Sequence, residues 1–343
     1  MNILIVKLSA IGDVIHTLPS LAAIRKLYPD AHITWVIEEA SADLIEHHPY
    51  LDRIIVSRRK RWIDDLKHGE IAKPVREMMN FTCELRSRSY DLVIDFHGLF
   101  KSAVLVALSA GKRKLGYDSL QELSGFFLNE KIPEDMNKHA VDRYLDFPRY
   151  LGTEVGEPEF LIPVTEANRS RAEDLLRANA IARNDRFVAV NPVALWETKL
   201  WQDEKFAWLC DRIIEELRVQ VVFTGNSPKD VEGIQSLMKF PSINLGGTTT
   251  LKDLAYIYKL ATLLITTDSG PMHLGAAMGV PVIALFGPTD PKRTGPYGQG
   301  HTVIRKKLPC SPCFLKKCDS MQCMHDITVE EVFQAVKETI ASP

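Results

Sequence analysis

Two segments of the chain place a carboxylate directly after an apolar run, where it can take part in proton transfer or in ligand binding. The first is SAIGD at residues 9–13, which ends in Asp13 and follows the apolar residues 2–8. One interpretation is that Asp13 is an N-cap, because Asp accepts backbone N–H groups and favours the helix dipole. The other is a general base, because a substrate hydroxyl has a high pKa and must lose its proton as a new bond forms.

The second segment is TTDSGPMH at residues 266–273. Gly270 allows a ligand to approach the backbone closely, and Pro271 suits the first turn of a helix. Exposed N–H groups at such a helix start would bind an anion such as a diphosphate, with His273 as a further donor. Asp268 would repel phosphate, so we expect it to accept a hydroxyl or to hold the turn. The alternative is a capped helix with a buried histidine.

Two loops after predicted strands offer less specific signals. Lys199, in the loop after residues 187–191, could neutralise a diphosphate as a point charge, although a single loop lysine usually points into solvent. The segment GPTDP at residues 287–291 is most simply a turn at the same sheet edge. No Asp-x-Asp triplet, the spacing with which many sugar-nucleotide enzymes hold a divalent ion, occurs in the chain.

A basic run, RRKR at residues 58–61, precedes Trp62. Such a run is usually a solvated surface. It could instead receive an acidic substrate, because arginine binds carboxylate or phosphate with two hydrogen bonds. Lys101 is expected to lie at the edge of the same basic surface.

Four of the six cysteines are clustered near the C-terminus with the spacing C-x2-C-x4-C-x4-C, at Cys310, Cys313, Cys318 and Cys323. Four thiolates could hold zinc. The pattern lacks the two well-separated C-x2-C pairs of zinc ribbons, so reduced thiols in a packed loop are the preferred interpretation.

Apolar runs and helical patterns alternate along the chain, which predicts βαβ units and parallel sheets. A length of 343 residues suggests two domains. Glycines and prolines at residues 152–163 break regular structure between them. We expect two doubly wound halves with a cleft between them and ligands at the carboxyl ends of the strands. The predicted domains are residues 1–155 and 156–325, followed by a C-terminal helix in residues 326–343.

The overall charge and hydropathy limit the class of partner. A formal net charge of -2 gives no general attraction to nucleic acid, and no interleaved basic and aromatic residues are present. We find no secretory signal and no apolar stretch long enough to span a bilayer, so a cytoplasmic location is expected.

The motifs together resemble the signature of one enzyme family. IVKLSAIGDVIHTLP at residues 5–19 is similar to the N-terminal signature of the ADP-heptose:lipopolysaccharide heptosyltransferases, glycosyltransferase family 9. DSGPMH at 268–273 and FGPTDP at 286–291 resemble the donor-site signature of that family. WVIEE at 35–39 and KRW at 60–62 are most similar to its heptosyltransferase I branch.

The resemblance implies a GT-B fold, in which two Rossmann-like domains face each other across a cleft, the N-terminal one for the acceptor and the C-terminal one for the ADP-sugar. It implies an inverting transfer without metal or other cofactor. The donor would be ADP-L-glycero-β-D-manno-heptose, and the acceptor a Kdo residue of Kdo2-lipid A at the inner membrane periphery. The alternatives are heptosyltransferase II or another member with a different acceptor. Outside the class, a sugar-nucleotide epimerase or a non-catalytic nucleotide-sugar binding protein remains open.

Matching positions carry the family's roles onto this chain. Asp13 matches the catalytic base. The donor-contacting positions are Lys199, Asp268, Ser269, Gly270 and His273, and the basic positions that face the Kdo sugars are Lys60, Arg61 and Lys101. The chain departs from the family at Ala194 and Leu195, where threonines are common, and near Gln121 and Glu122, where an arginine is expected.

Overall fold

A computed structural model describes residues 1–118 and 125–341 of the chain. The departure near Gln121 and Glu122 lies outside the described residues. The chain divides into two compact units, Met1–Pro163 and Val164–Pro343. The division falls later than the expected 155/156 boundary because the intervening residues are bound to the first unit. Glu159, for example, accepts hydrogen bonds from Tyr50 at 2.6 Å and Lys26 at 3.1 Å.

The first unit contains a six-stranded sheet, with strands β1 (Asn2–Val6), β2 (His32–Glu38), β3 (Arg53–Ser57), β4 (Leu92–Asp95), β5 (Arg113–Tyr117) and β6 (Glu130–Ile132). The unit pairs all neighbouring strands in parallel, in the order β3-β2-β1-β4-β5-β6. Its helices are α1 (Ile11–Leu27), α2 (Glu39–Ala42), α3 (Arg59–Lys67), α4 (Ala72–Leu85), α5 (Phe100–Leu108), α6 (Ala140–Tyr144) and α7 (Asp146–Tyr150).

The second unit repeats this architecture, with strands β7 (Phe187–Asn191), β8 (Gln220–Phe223), β9 (Ile243–Asn244), β10 (Leu263–Thr267), β11 (Val282–Phe286) and β12 (Thr302–Arg305). The unit again pairs all neighbouring strands in parallel, in the order β12-β11-β10-β7-β8-β9. Its helices are α8 (Glu166–Ala178), α9 (Asp203–Leu217), α10 (Lys229–Leu237), α11 (Leu251–Leu260), α12 (Gly270–Ala277), α13 (Pro291–Thr294), α14 (Gln322–His325) and α15 (Val329–Ala341).

Both strand orders are the Rossmann order, 3-2-1-4-5-6, when each unit is counted from its own first strand. The predicted doubly wound α/β halves are therefore confirmed. The central strands are buried on both faces, which is why they read as continuous apolar runs. α12 packs closely on β10, since a Cβ at Gly275 would lie 2.5 Å from Leu264 Cδ2. α15 contributes Val332, Phe333 and Val336 to the core of the second unit.

No helix among the described residues is both long and apolar enough to cross a bilayer.

Candidate functional sites at the strand ends

In each unit, the candidate site lies where the strand order reverses. β1 and β4 are neighbours in the first sheet, with Val6 opposite Asp95, and β7 and β10 are neighbours in the second, with Asn191 opposite Thr266. The loops after such a pair diverge to opposite faces of the sheet and leave a crevice at the carboxyl ends. Segments 7–13 and 96–98 follow the first pair, and segments 192–199 and 268–270 follow the second. The sequence motifs therefore lie at the two switch points.

Asp13 occupies the third position of α1 rather than the N-cap, which is Ala10. The N-cap interpretation of Asp13 was therefore wrong, because α1 begins earlier than its apolar pattern suggested. One carboxylate oxygen, Oδ2, accepts the backbone N–H of Ala10 at 3.2 Å, as acids at this position often do. The other oxygen, Oδ1, faces Tyr144 and Lys7. The side chain remains 41% exposed, so a substrate can reach it.

A buried lysine and tyrosine hold the Oδ1 atom of Asp13. Lys7 is only 3% exposed and donates to Tyr144 Oη at 2.6 Å and to the carbonyl of Phe96 at 3.1 Å. Tyr144 in turn donates to Asp13 Oδ1 at 3.3 Å, and Lys7 Nζ lies 3.9 Å from the same oxygen. Burial raises the pKa of Tyr144 well above its usual value, so the tyrosine stays a neutral donor. The pair therefore orients the carboxylate through a positive charge and a hydroxyl.

His97 and Asp95 line the same switch point from β4. Asp95 is buried and accepts the N–H groups of His97 and Gly98 and the hydroxyl of Ser102, while desolvation raises its pKa. Both ring nitrogens of His97 are buried without a hydrogen-bond partner among the described residues. Burial, together with the nearby charges of Lys7 and Lys101, lowers the pKa of His97 to about 3. The imidazole is therefore neutral at physiological pH.

The lowered pKa of His97 predicts a loss of stability in mild acid. Below pH 6.5 the unfolded chain binds a proton at this histidine while the folded chain does not, so stability falls as the pH drops towards 3. Between pH 7 and pH 5 the contribution is about 2 kcal/mol. Urea unfolding should show this extra loss in the wild type and not in His97→Phe. His68→Phe, at an exposed position, is the control; equal pH dependence of all three proteins would contradict the prediction.

A buried glutamate lies close to several of the cations at and near the basic run 58–61. Glu38, the last residue of β2, is 3% exposed. Its carboxylate lies 3.4 Å from Arg59, 3.7 Å from Lys60 and 3.2 Å from Lys101. Lys101 also donates to Ser9 at 3.0 Å, in the loop that precedes α1 and Asp13. The predicted acceptor residues Lys60 and Lys101 are therefore brought together.

Arg61, the third predicted acceptor residue, is not part of this cluster. Its side chain is exposed and forms no ion pair with the described residues. Arg59 contacts Glu38 instead. Successive helical residues are rotated by about 100°, so Arg61 points away from the side that Arg59 shares with Lys60.

In the second unit, Lys199 is paired with Asp268. Their Nζ and Oδ2 atoms lie 2.6 Å apart, and Thr289 donates to the same oxygen at 2.6 Å. Lys199 is 16% exposed and Asp268 5%, so the solvent-facing alternative for this lysine is wrong. The lysine also stacks on Trp196, with Nζ 4.5 Å from the ring centroid. Asp268 thus anchors a cation at the switch point.

The helix start at residues 269–273 has the features of an anion site. Ser269 is the N-cap of α12, yet its side chain caps nothing, and its buried Oγ has no partner among the described residues. Pro271 stands in the first turn, as expected. His273 is 8% exposed, which agrees with the alternative of a buried histidine. The capping part of that alternative is wrong, because Ser269 Oγ is left available.

The cysteine-rich loop supports the loop that carries Lys199. Thr198, beside the lysine, donates to the carbonyl of Leu315 at 2.7 Å, and the N–H of Cys313 donates to the carbonyl of Pro288 at 3.0 Å. Cys310 and Cys318 are exposed, while Cys313 and Cys323 are half-buried. Burial raises the pKa of Cys323. Within the described part of the chain, no three His, Cys, Asp or Glu side chains are grouped so as to hold a metal ion.

Sequence reasoning gave no separate role to several residues at these sites, among them Lys7, Glu38, Asp95, His97 and Tyr144. Lys7 offered a signal, since a charge inside an otherwise apolar run of sequence is costly to bury without a partner. Tyr144 offered none, because its position beside Asp13 depends on the packing of α6 against α1.

Two solved structures with the same fold are glycosyltransferases. The glycosyl transferase family 9 structure from Veillonella parvula aligns with a TM-score of 0.82 at 27% identity and covers 100% of this chain and 97% of that one. The E. coli heptosyltransferase WaaC with ADP aligns with a TM-score of 0.80 at 27% identity and covers 99% and 100%. The two Rossmann-like units are therefore those of a GT-B glycosyltransferase.

The sequence comparisons give the family. The family model of glycosyltransferase family 9 (heptosyltransferase) matches residues 78–325. The lipopolysaccharide heptosyltransferase 1 of Pseudomonas aeruginosa is 31% identical over 332 residues, which cover 93% of this chain and 87% of that protein. The chain belongs to glycosyltransferase family 9, and the protein is a transferase.

Proposed function

We propose that the protein transfers L-glycero-D-manno-heptose from ADP-heptose to a Kdo residue of Kdo2-lipid A, in the synthesis of the lipopolysaccharide inner core. The observation that carries this proposal is the reachable carboxylate of Asp13 next to a cluster of cations gathered on Glu38. A base beside a cationic surface suits a hydroxyl acceptor that carries carboxylates, as Kdo does. The relatives named lipopolysaccharide heptosyltransferase 1 support the transfer of a heptose in lipopolysaccharide synthesis.

The proposed reaction is a single in-line displacement. Asp13 accepts the proton of the acceptor hydroxyl as its oxygen bonds to the anomeric carbon, and the bond to the diphosphate breaks, so that ADP leaves. The configuration at that carbon is inverted. In the second unit, Lys199 and the helix start at Ser269 and Gly270 take up the negative charge that develops on the diphosphate, and His273 adds a donor. Asp268 acts by holding Lys199 in place. The proposed transfer needs no metal ion or other cofactor.

The acceptor is tested by mass spectrometry after incubation with ADP-heptose. We expect one heptosyl residue to be added to Kdo2-lipid A and none to Kdo2-lipid A that already carries a heptose. Transfer only to the heptosylated acceptor would replace this proposal by a later step of core assembly. The similarity to a relative named lipopolysaccharide heptosyltransferase 3, 26% identical over 81% of this chain, makes that comparison necessary.

Replacing Glu38 tests whether the charge of this cluster affects binding of the proposed acceptor. In Glu38→Gln, Arg59, Lys60 and Lys101 lose their common anion and repel one another. We expect the KM for the acceptor to rise about tenfold while the KM for ADP-heptose stays unchanged, because a buried charge contact contributes about 1.5–3 kcal/mol. Glu38→Asp keeps the charge and is the control. An equal rise of both KM values would contradict a role confined to the acceptor.

We further propose that the protein works in the cytoplasm at the periphery of the inner membrane, because a lipid-borne acceptor is presented there. Nucleic acid is not proposed as a partner.

A further inference from the structure

Helices α3 and α4 carry apolar side chains that the core of the first unit does not cover. α4 buries Pro74, Phe81 and Leu85, which lie along one side of the helix. A neighbouring stripe, Ile71, Val75 and Met79, recurs every four residues and is 67%, 40% and 64% exposed. The apolar part of α4 is therefore wider than the surface it packs against.

α3 also carries exposed apolar side chains. Trp62 is its buried residue and contacts Phe81 of α4 edge to face, with ring centroids 5.5 Å apart, which joins the two helices. Ile63 and Leu66, three residues apart, are each 40% exposed. Together with Ile71, Val75 and Met79 they form what we call the hairpin patch. Monomeric proteins rarely expose so many apolar side chains on one helical pair without a partner.

The charge around the hairpin patch identifies the partner's chemistry. Residues 58–76 contain seven basic and three acidic residues, a net charge of +4 in a chain whose net charge is -2. Some of these cations are neutralised, as Lys73 is by Asp65 and Glu70. Arg61, Lys67 and Arg76 are exposed and form no ion pair with any described residue. Exposed apolar residues among free cations are the features by which helices bind an anionic lipid surface.

We propose that the hairpin patch docks the protein on an anionic phospholipid bilayer. The patch would enter the headgroup region, with Arg61, Lys67 and Arg76 contacting lipid phosphates. α3 also carries Arg59 and Lys60 of the Glu38 cluster, and Leu66 follows Lys60 by six residues, about 9 Å along the helix. The docking surface is thus continuous with the proposed acceptor site. The inference deepens the proposed function by naming the membrane-contacting surface. It rests on the proposed function only for the reason why the protein would bind a membrane.

Vesicle sedimentation with the full-length protein tests the docking. Vesicles of phosphatidylethanolamine and phosphatidylglycerol, free of acceptor, are compared with vesicles of phosphatidylcholine. We expect binding to the anionic vesicles only, and a fall of about tenfold or more in Ile71→Ser/Met79→Ser. Lys67→Glu/Arg76→Glu should weaken binding and reduce its salt dependence. The matched control, Trp208→Ser/Leu237→Ser, alters two apolar residues of the second unit that are 63% and 47% exposed and should bind like the wild type.

Equal vesicle binding by the wild type and the Ile71→Ser/Met79→Ser variant would overturn the proposal. So would a dimer of the wild type that becomes a monomer in this variant while vesicle binding is unchanged, because the patch would then be a contact between two copies. Transfer to detergent-dispersed acceptor is measured on the same proteins and should be unaffected. If no protein transfers heptose but vesicle binding still depends on the patch, the proposed function fails and the docking stands.

Discussion

Asp13→Asn should lower kcat by about a thousandfold, since general base catalysis typically contributes between about 10² and 10⁴. The amide keeps the size of the side chain and can still accept the Ala10 N–H, so α1 should be unchanged. It can no longer take a proton from the acceptor. The initial rate of ADP release at saturating donor and acceptor measures the effect.

Two controls separate the loss of the base from a loss of structure. Asp30→Asn changes an exposed carboxylate of the same unit and should keep the wild-type rate. The thermal unfolding midpoint of Asp13→Asn should stay close to that of the wild type. A kcat within a few-fold of the wild type in Asp13→Asn would remove Asp13 as the base.

Lys199→Ala should lower kcat/KM for ADP-heptose by about a hundredfold. The negative charge that develops on the departing diphosphate would lose the cation that we propose to neutralise it. The variant also leaves Asp268, 5% exposed, without its partner at 2.6 Å. An unpaired buried carboxylate destabilises a protein and would repel the donor. The single variant therefore mixes two effects.

The double variant Lys199→Ala/Asp268→Asn resolves them. It removes the unpaired charge and keeps a side chain that can contact Thr289. We expect stability to recover while kcat/KM for ADP-heptose stays low. Full recovery of kcat/KM would show that Lys199 serves only to neutralise Asp268. Inorganic pyrophosphate, titrated into both variants as a competitor, gives an independent measure of anion affinity.

The fold could be predicted because its buried strands are recognisable in the sequence. β1, β7, β10 and β11 are apolar runs with few interruptions, since both faces of a parallel sheet are covered. The edge strands β9 and β12 could not be predicted in the same way. β12 has exposed residues at Thr302 and Val303, and β9 is only two residues long. Short or half-exposed strands carry too little hydrophobic pattern to distinguish them from loops.

The position of the candidate site could be predicted from the sequence, but the side-chain contacts within it could not. The carboxyl ends of parallel strands converge at one sheet edge, so segments 9–13 and 268–273 were expected at ligand-binding places from their sequence positions alone. The contact of Lys199 with Asp268 joins residues 69 apart in sequence, and that of Lys101 with Glu38 joins residues 63 apart. Such pairs depend on how the loops after different strands fold together, and no local pattern encodes them.

The proposed mechanism divides two roles between the units: the first unit activates the acceptor, and the second holds the donor. Calorimetric titration of ADP-heptose in the absence of acceptor distinguishes these roles. We expect Asp13→Asn to bind the donor with the affinity of the wild type. If Asp13→Asn loses donor binding, Asp13 belongs to the donor site and the division of roles is wrong.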